Sequence, residues 1–127
     1  MIAVVIPAYK TAGSILTVLE KVPAAVGLIV VVDDASPDEL AQKVAGYPDL
    51  RLRLLAHSRN QGVGGAMLSG YAYALDQGAD VVVKVDSDDQ MDLDYFEDLV
   101  RPILESQADY TKGNRFLHHR ELKKMPF

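Results

Sequence analysis

The chain has 127 residues, 13 Lys and Arg against 18 Asp and Glu for a net charge of −5, 49% hydrophobic residues, and neither Cys nor Trp. That length suits one domain with a core of its own, which excludes a disordered tail. No run of about 18 apolar residues is available to cross a bilayer, no thiol can form a disulfide or a zinc site, and an acidic chain without a Lys/Arg stripe argues against nucleic-acid binding.

Residues 2–6 (Ile-Ala-Val-Val-Ile) form an apolar run closed by Pro7. With no basic residue before it and only one strand's length, the run reads as a strand buried on both faces and not as a signal peptide. Similar runs return at Leu28 to Val32, Leu52 to Ala56 and Val81 to Val85. Helix-like sequence separates them. Ser36-Pro37-Asp38-Glu39 predicts a capping box, with Ser36 as N-cap and Gly46 as the stop. Gly62 to Gln77 predicts a second helix, with Ala66, Met67, Gly70, Tyr71, Ala74 and Leu75 at helical spacing and Gly78 as its end. From Asp92, the stripe Leu93, Phe96, Val100, Ile103 and Leu104 predicts a third, kinked or cut short by Pro102. A fifth strand is expected near Tyr110, and the tail from His118 closes on no clear final element. Strands alternating with helices make an α/β fold with a mostly parallel sheet.

In such a sheet, ligands bind beyond the carboxyl ends of the strands. Carboxylates dominate two of the four ends. After Val85, the residues Asp86, Asp88 and Gln90 alternate on an extended loop, so three oxygen donors can face one way. Hard oxygen donors of this kind suit Mg²⁺ or Mn²⁺, with substrate phosphates completing the shell. A solvated acidic turn is the bland alternative. A calcium loop from Asp86 to Glu97 is rejected, because its sixth place is Met91 and not Gly. Asp33-Asp34 must be paired, capped or in reach of a ligand, since an unpaired buried carboxylate is costly. Asn60 to Ala66 opens a helix with glycines that admit either a phosphate or close packing on the sheet. His57, His118 and His119 have no matching acid at a recognisable spacing and no nucleophile beside them, so they read as surface or core-satisfied residues.

Five segments, taken in order and spacing, resemble the family 2 glycosyltransferases, and most closely their dolichyl-phosphate mannose synthase-like, bacterial polyprenyl-phosphate sugar transferase branch. They are Val4 to Tyr9, Val31 to Ser36, Asn60 to Ala66, Val85 to Gln90, and Ala108 to Tyr110 with Gly113 to Phe116. The resemblance implies a GT-A fold that binds a nucleotide-diphosphate sugar, UDP- or GDP-linked, together with Mg²⁺ or Mn²⁺. It implies that Pro7, Ala8, Tyr9 and Asp34 surround base and ribose, that Asp86, Asp88 and Gln90 hold metal and diphosphate, and that Asp88 and Arg115 are catalytic. Tyr9-Lys10-Thr11 departs from the family's Tyr-Asn-Glu, which leaves base selectivity open.

The implied reaction is inverting transfer of a sugar to a polyprenyl or dolichyl phosphate, or another glycan acceptor. Negative charge grows on the departing diphosphate, where a cation and Arg115 would stabilise it. A phosphate monoester with a second pKa of about 6 is already anionic near neutrality, so no strong base is needed. Family members usually continue further, so residues 1–127 are expected to be a single donor domain lacking its C-terminal acceptor part. The expected location is cytoplasmic, at the membrane face for a longer protein. Three other readings share the α/β pattern. A receiver domain would carry its acid pair after the first strand, a sugar nucleotidyltransferase would carry a Gly-rich, Arg-containing loop there, and a non-catalytic nucleotide-binding module would keep the fold alone.

Overall fold

A computed structural model describes residues 1–89 and the backbone of residues 110–111 and 116–118. The elements are β1 (Ile2–Ala8), α1 (Ile15–Glu20), β2 (Leu28–Asp33), α2 (Leu40–Ala45), β3 (Leu52–Ala56), α3 (Gly62–Asp76), β4 (Val81–Lys84), β5 (Tyr110–Thr111) and β6 (Phe116–His118). They form a six-stranded sheet in the order β3-β2-β1-β4-β6-β5. β1 to β4 run parallel, β6 is antiparallel to β4, and β5 is antiparallel to β6. The expected mostly parallel α/β sheet is present, including the strand at Tyr110.

The order of the sheet decides where the helices sit. β1 to β2 to β3 steps outward in one direction, and α3 then carries the chain back past β2 and β1 to β4. Strand-to-strand crossovers are right-handed, so reversing the direction of travel puts the helix on the opposite face. Accordingly α1 and α2 pack on Val4, Ile6, Ile29, Val31 and Val83, whereas α3 packs on Ala3, Val5, Val30, Val32 and Val82. Successive strand residues alternate between these two layers. Ile6, Ile15, Leu19, Ile29 and Leu40 are among the largest fully buried side chains, each contributing roughly 1.5–3 kcal/mol of transfer free energy.

Two expectations need correction. The helix expected from Ser36 starts at Leu40, with Glu39 in the N-cap position and no side-chain cap. The Ser36 hydroxyl is drawn into the loop instead, accepting the Lys10 N–H at 2.9 Å and donating to Asp38. The third strand is not buried on both faces: as the edge of the sheet, β3 leaves Arg53 and Ala56 exposed. The short helix α1, buried through Ile15, Val18 and Leu19, was visible in the sequence only as helix-like spacing. The stripe from Leu93 to Leu104, with Pro102, lies outside the described residues.

α3 lies so close to the sheet that Gly70 has no room for a side chain. A Cβ there would fall inside contact distance of Val5 Cγ1 and 3.3 Å from Val32 Cγ2. Gly70→Ala should therefore lower stability by about 1–3 kcal/mol through overpacking, whereas Gly13→Ala, which meets nothing within 4 Å, should stay within about 0.5 kcal/mol. Urea titrations of the two variants check this. Equal midpoints would show that α3 can lift away without cost.

Candidate nucleotide-sugar site

The crevice between β1 and β4 is where the strand order reverses, the place where open α/β sheets bind ligands. A cleft of about 350 Å³ opens there, lined by Pro7, Tyr9 and Thr11 after β1, by Lys84, Asp86, Ser87 and Asp88 at the end of β4, and by Val63 of α3. A smaller recess of about 40 Å³ shares Pro7, Tyr9 and Val63 and adds Ala8, Asp34 and Ala66. Alternation explains part of this membership. On β1 the odd residues Ala3 and Val5 face α3, and Pro7 and Tyr9 continue that row; on β4, Val82 faces α3 and Lys84 follows it. The expected extended loop is not formed: past Lys84 the chain turns at Ser87 and Asp88, with Asp89 at φ 63°, and the turn brings Asp86, Ser87 and Asp88 together to the cleft.

Ser87 lines the cleft too and, through its bonds to the residues before α1, fixes the acidic loop. It is 7% exposed; Thr11 Oγ1 donates to Ser87 Oγ at 2.9 Å, and Ser14 Oγ donates to the Ser87 carbonyl at 2.7 Å. Thr11 and Ser14 begin the α1 segment, so the first and fourth strand ends are tied beneath the cleft. The departure at Thr11 thus has a structural use that the sequence alone did not disclose. Lys21 pairs with Asp89 at 2.8 Å, and the Lys10 ammonium lies 5.3 Å over the Tyr9 ring.

The two aspartates after β2 separate by the same alternation. Asp33 accepts the Ser36 N–H at 2.9 Å and closes its own turn. Asp34, 3% exposed, turns to the α3 side. Its Oδ1 accepts from His57 Nδ1 and from the Gln61 N–H, both at 2.8 Å, and its Oδ2 accepts the Gly62 N–H at 2.8 Å. His57 Nε2 in turn meets the Ser69 hydroxyl at 2.8 Å. The reading of His57 as a core-satisfied residue is therefore borne out, and the partner that the local sequence did not reveal is Asp34, 23 residues away. The glycine-led start of α3 gives its first amide protons to this carboxylate, with Gly62 at φ +80°. Of the roughly four acceptor positions of a carboxylate, three are filled, which leaves one on Oδ2 for a ligand in the recess.

The structure thus gathers Pro7, Ala8, Tyr9, Asp34, Asp86 and Asp88 around one continuous rim, with Asp34 embedded in its wall. Gln90 and Arg115 lie outside the described residues. Among the described residues no three His, Asp or Glu side chains form a ready metal cage. Two carboxylates on one cleft still match the donor set of Mg²⁺, which keeps several waters and relies on substrate phosphates. Sequence reasoning passed over Lys84, although a lone Lys inside Val-Val-Val-Lys-Val was a signal. It could not foresee the Asp34–His57 contact, for which no local pattern exists.

Family comparison matches residues 3–126 to Glycosyl transferase family 2. The chain belongs to that family. Family 2 membership removes the receiver and nucleotidyltransferase readings. Among relatives, a UDP-N-acetylglucosamine–dolichyl-phosphate N-acetylglucosaminyltransferase of Methanococcus voltae is 36% identical over 72 residues, 57% of this chain and 29% of the relative. An undecaprenyl-phosphate mannosyltransferase of Micrococcus luteus is 30% identical over 115 residues, 87% of this chain and 46% of the relative. The crystal structure of S. aureus TarS 1-349 in complex with UDP matches with a TM-score of 0.68 at 29% identity, over 85% of this chain and 33% of that one. The expected GT-A architecture is therefore the one this chain has. The chain spans between 24% and 51% of the length of these and other curated relatives.

Burial pushes the Asp34 carboxyl up, but the bonds from His57, Gln61 and Gly62 outweigh it and hold it below the usual carboxylate range. A lowered folded-state pKa stabilises the fold above the unfolded value of about 3.9, and this contribution is lost as pH falls through the folded value. Asp34→Asn places an amide NH₂ against backbone donors and should cost about 2–3 kcal/mol at pH 7. Its stability should also fall less steeply below pH 4 than that of the wild type. Denaturant midpoints between pH 2.5 and 7 measure both, and parallel curves for the two proteins would contradict the assigned role.

Proposed function

We propose that this chain is the donor-binding part of an inverting glycosyltransferase that moves a sugar from a nucleoside-diphosphate donor to a polyprenyl or dolichyl phosphate. The observation that carries the reading is the cleft at the β1/β4 crevice, which the exposed Tyr9 and the carboxylates Asp86 and Asp88 line together in a family 2 chain. The relatives named for dolichyl- and undecaprenyl-phosphate transfer, and the UDP in the TarS crystal structure, support the substrate classes.

In this reading the Tyr9 ring, 42% exposed and steadied by the Lys10 ammonium, offers a flat face to a base, with Pro7 and Val63 as apolar flanks. Asp34 holds the wall through Gln61 and Gly62 and lines the recess. Asp86 and Asp88, with Gln90 beyond them in sequence, would hold a divalent cation, which supplies charge stabilisation to a departing diphosphate. The Ser87 clamp keeps the two carboxylates in place before any ligand arrives, so little reorganisation is needed on binding. An anionic phosphate acceptor attacks without deprotonation, so no general base is required of this chain.

A thermal-shift screen of UDP- and GDP-linked sugars, with Mg²⁺ or Mn²⁺, tests the donor reading. A ligand at 100 times its Kd adds about 2.7 kcal/mol to the folded state, and the metal-dependent part of the shift should vanish in Asp88→Ala. A shift that survives Asp88→Ala unchanged would refute the role of the acidic loop. Following release of free nucleotide in the same samples separates a catalytic site from one that only binds.

A further inference from the structure

Lys84 is the one ionised residue in the run Val81 to Val85, two residues after Val82, which packs with α3. Its stem is held by a strand paired to β1, with Val5 as its register partner. The side chain is 19% exposed, and its ammonium lies 3.6 Å from Asp86 Oδ1, an ion pair longer than a hydrogen bond. An ammonium has three donors, yet among the described residues Lys84 makes no side-chain hydrogen bond. Its donors are therefore open to the cleft that Lys84 lines together with Asp86 and Asp88.

Charge sets what such an ammonium can recognise. Two carboxylates alone would repel a diphosphate, whereas a cation fixed beside them gives the floor a site of opposite sign to the ligand. We propose that Lys84 binds the phosphate of the donor: its ammonium passes from Asp86 to a diphosphate oxygen when the nucleotide enters. The inference rests on the donor reading above and deepens it. During transfer, the bond from the anomeric carbon to the diphosphate oxygen breaks, its electron pair stays on the diphosphate, and an acceptor oxygen takes the carbon. Lys84 then holds the side on which negative charge increases, without moving a proton.

Calorimetric titration of the chain with uridine, guanosine, UDP and GDP, at fixed Mg²⁺, tests this. Lys84→Met should weaken the diphosphate by about tenfold or more, as expected for loss of a charge-assisted contact, and leave the matching nucleoside within about twofold. Lys84→Arg should recover most of the loss. Lys84→Gln, nearly isosteric and polar, gives the same comparison if the Met variant does not fold. If diphosphate and nucleoside weaken together, Lys84 is only a structural partner of Asp86 and the proposal is overturned; unchanged diphosphate affinity overturns it equally. A wild-type chain that binds no nucleoside diphosphate overturns the donor reading itself, so the two failures are distinct.

Discussion

A side chain in an extended strand can face only one of two layers, and in this sheet that restriction sets where each strand delivers the loop that forms the rim. Asp33 and Asp34 are neighbours in sequence but serve opposite faces, the first closing its own turn and the second anchoring α3. Asp86 and Asp88 reach the same cleft through the turn that follows β4, and Ser87 between them is held there by Thr11 and Ser14. A shift of one residue in β4 would send Lys84 into the opposite layer.

Asp34 turns this two-dimensional rule into a three-dimensional site. An ionised carboxylate with almost no exposure is costly unless its oxygens are filled, and here the donors come from the start of α3 and from His57 at the end of β3. The cost of burial is offset by fixing where the helix begins. That places Val63 opposite Tyr9 across the cleft. Packing at Gly70 then sets the depth of the same helix against Val5 and Val32. One polar and one apolar contact, about two helical turns apart, thus fix α3 with respect to β1 and β2.

The layers were legible in the sequence because aliphatic runs bounded by Pro, Asp and Gly carry their period openly. Asp86 and Asp88 could be singled out because their spacing is local. Contacts that join separate loops were not legible. Asp34 and His57 are adjacent only once β2 and β3 pair, and Thr11 meets Ser87 only because β4 lies beside β1. Ser36 misled because its hydroxyl had two suitors: a helix start, as the motif suggests, and the backbone of the β1 loop, which won. The glycines after Asn60 fitted two readings, and the structure shows the amide protons of Gln61 and Gly62 spent on a carboxylate of the protein itself.

Three of the loops that form the rim also contain a residue other than glycine in the left-handed backbone region: Lys10 at φ 58°, Ala35 at φ 59° and Asp89 at φ 63°. Each such conformation costs on the order of 1 kcal/mol and persists only where its surroundings over-determine it. Directed evolution for heat tolerance alone would accordingly drift toward glycine or asparagine at these three corners. Such variants would unfold later and hold the mouth of the cleft less firmly, so durability and ligand affinity should trade against each other at these positions first.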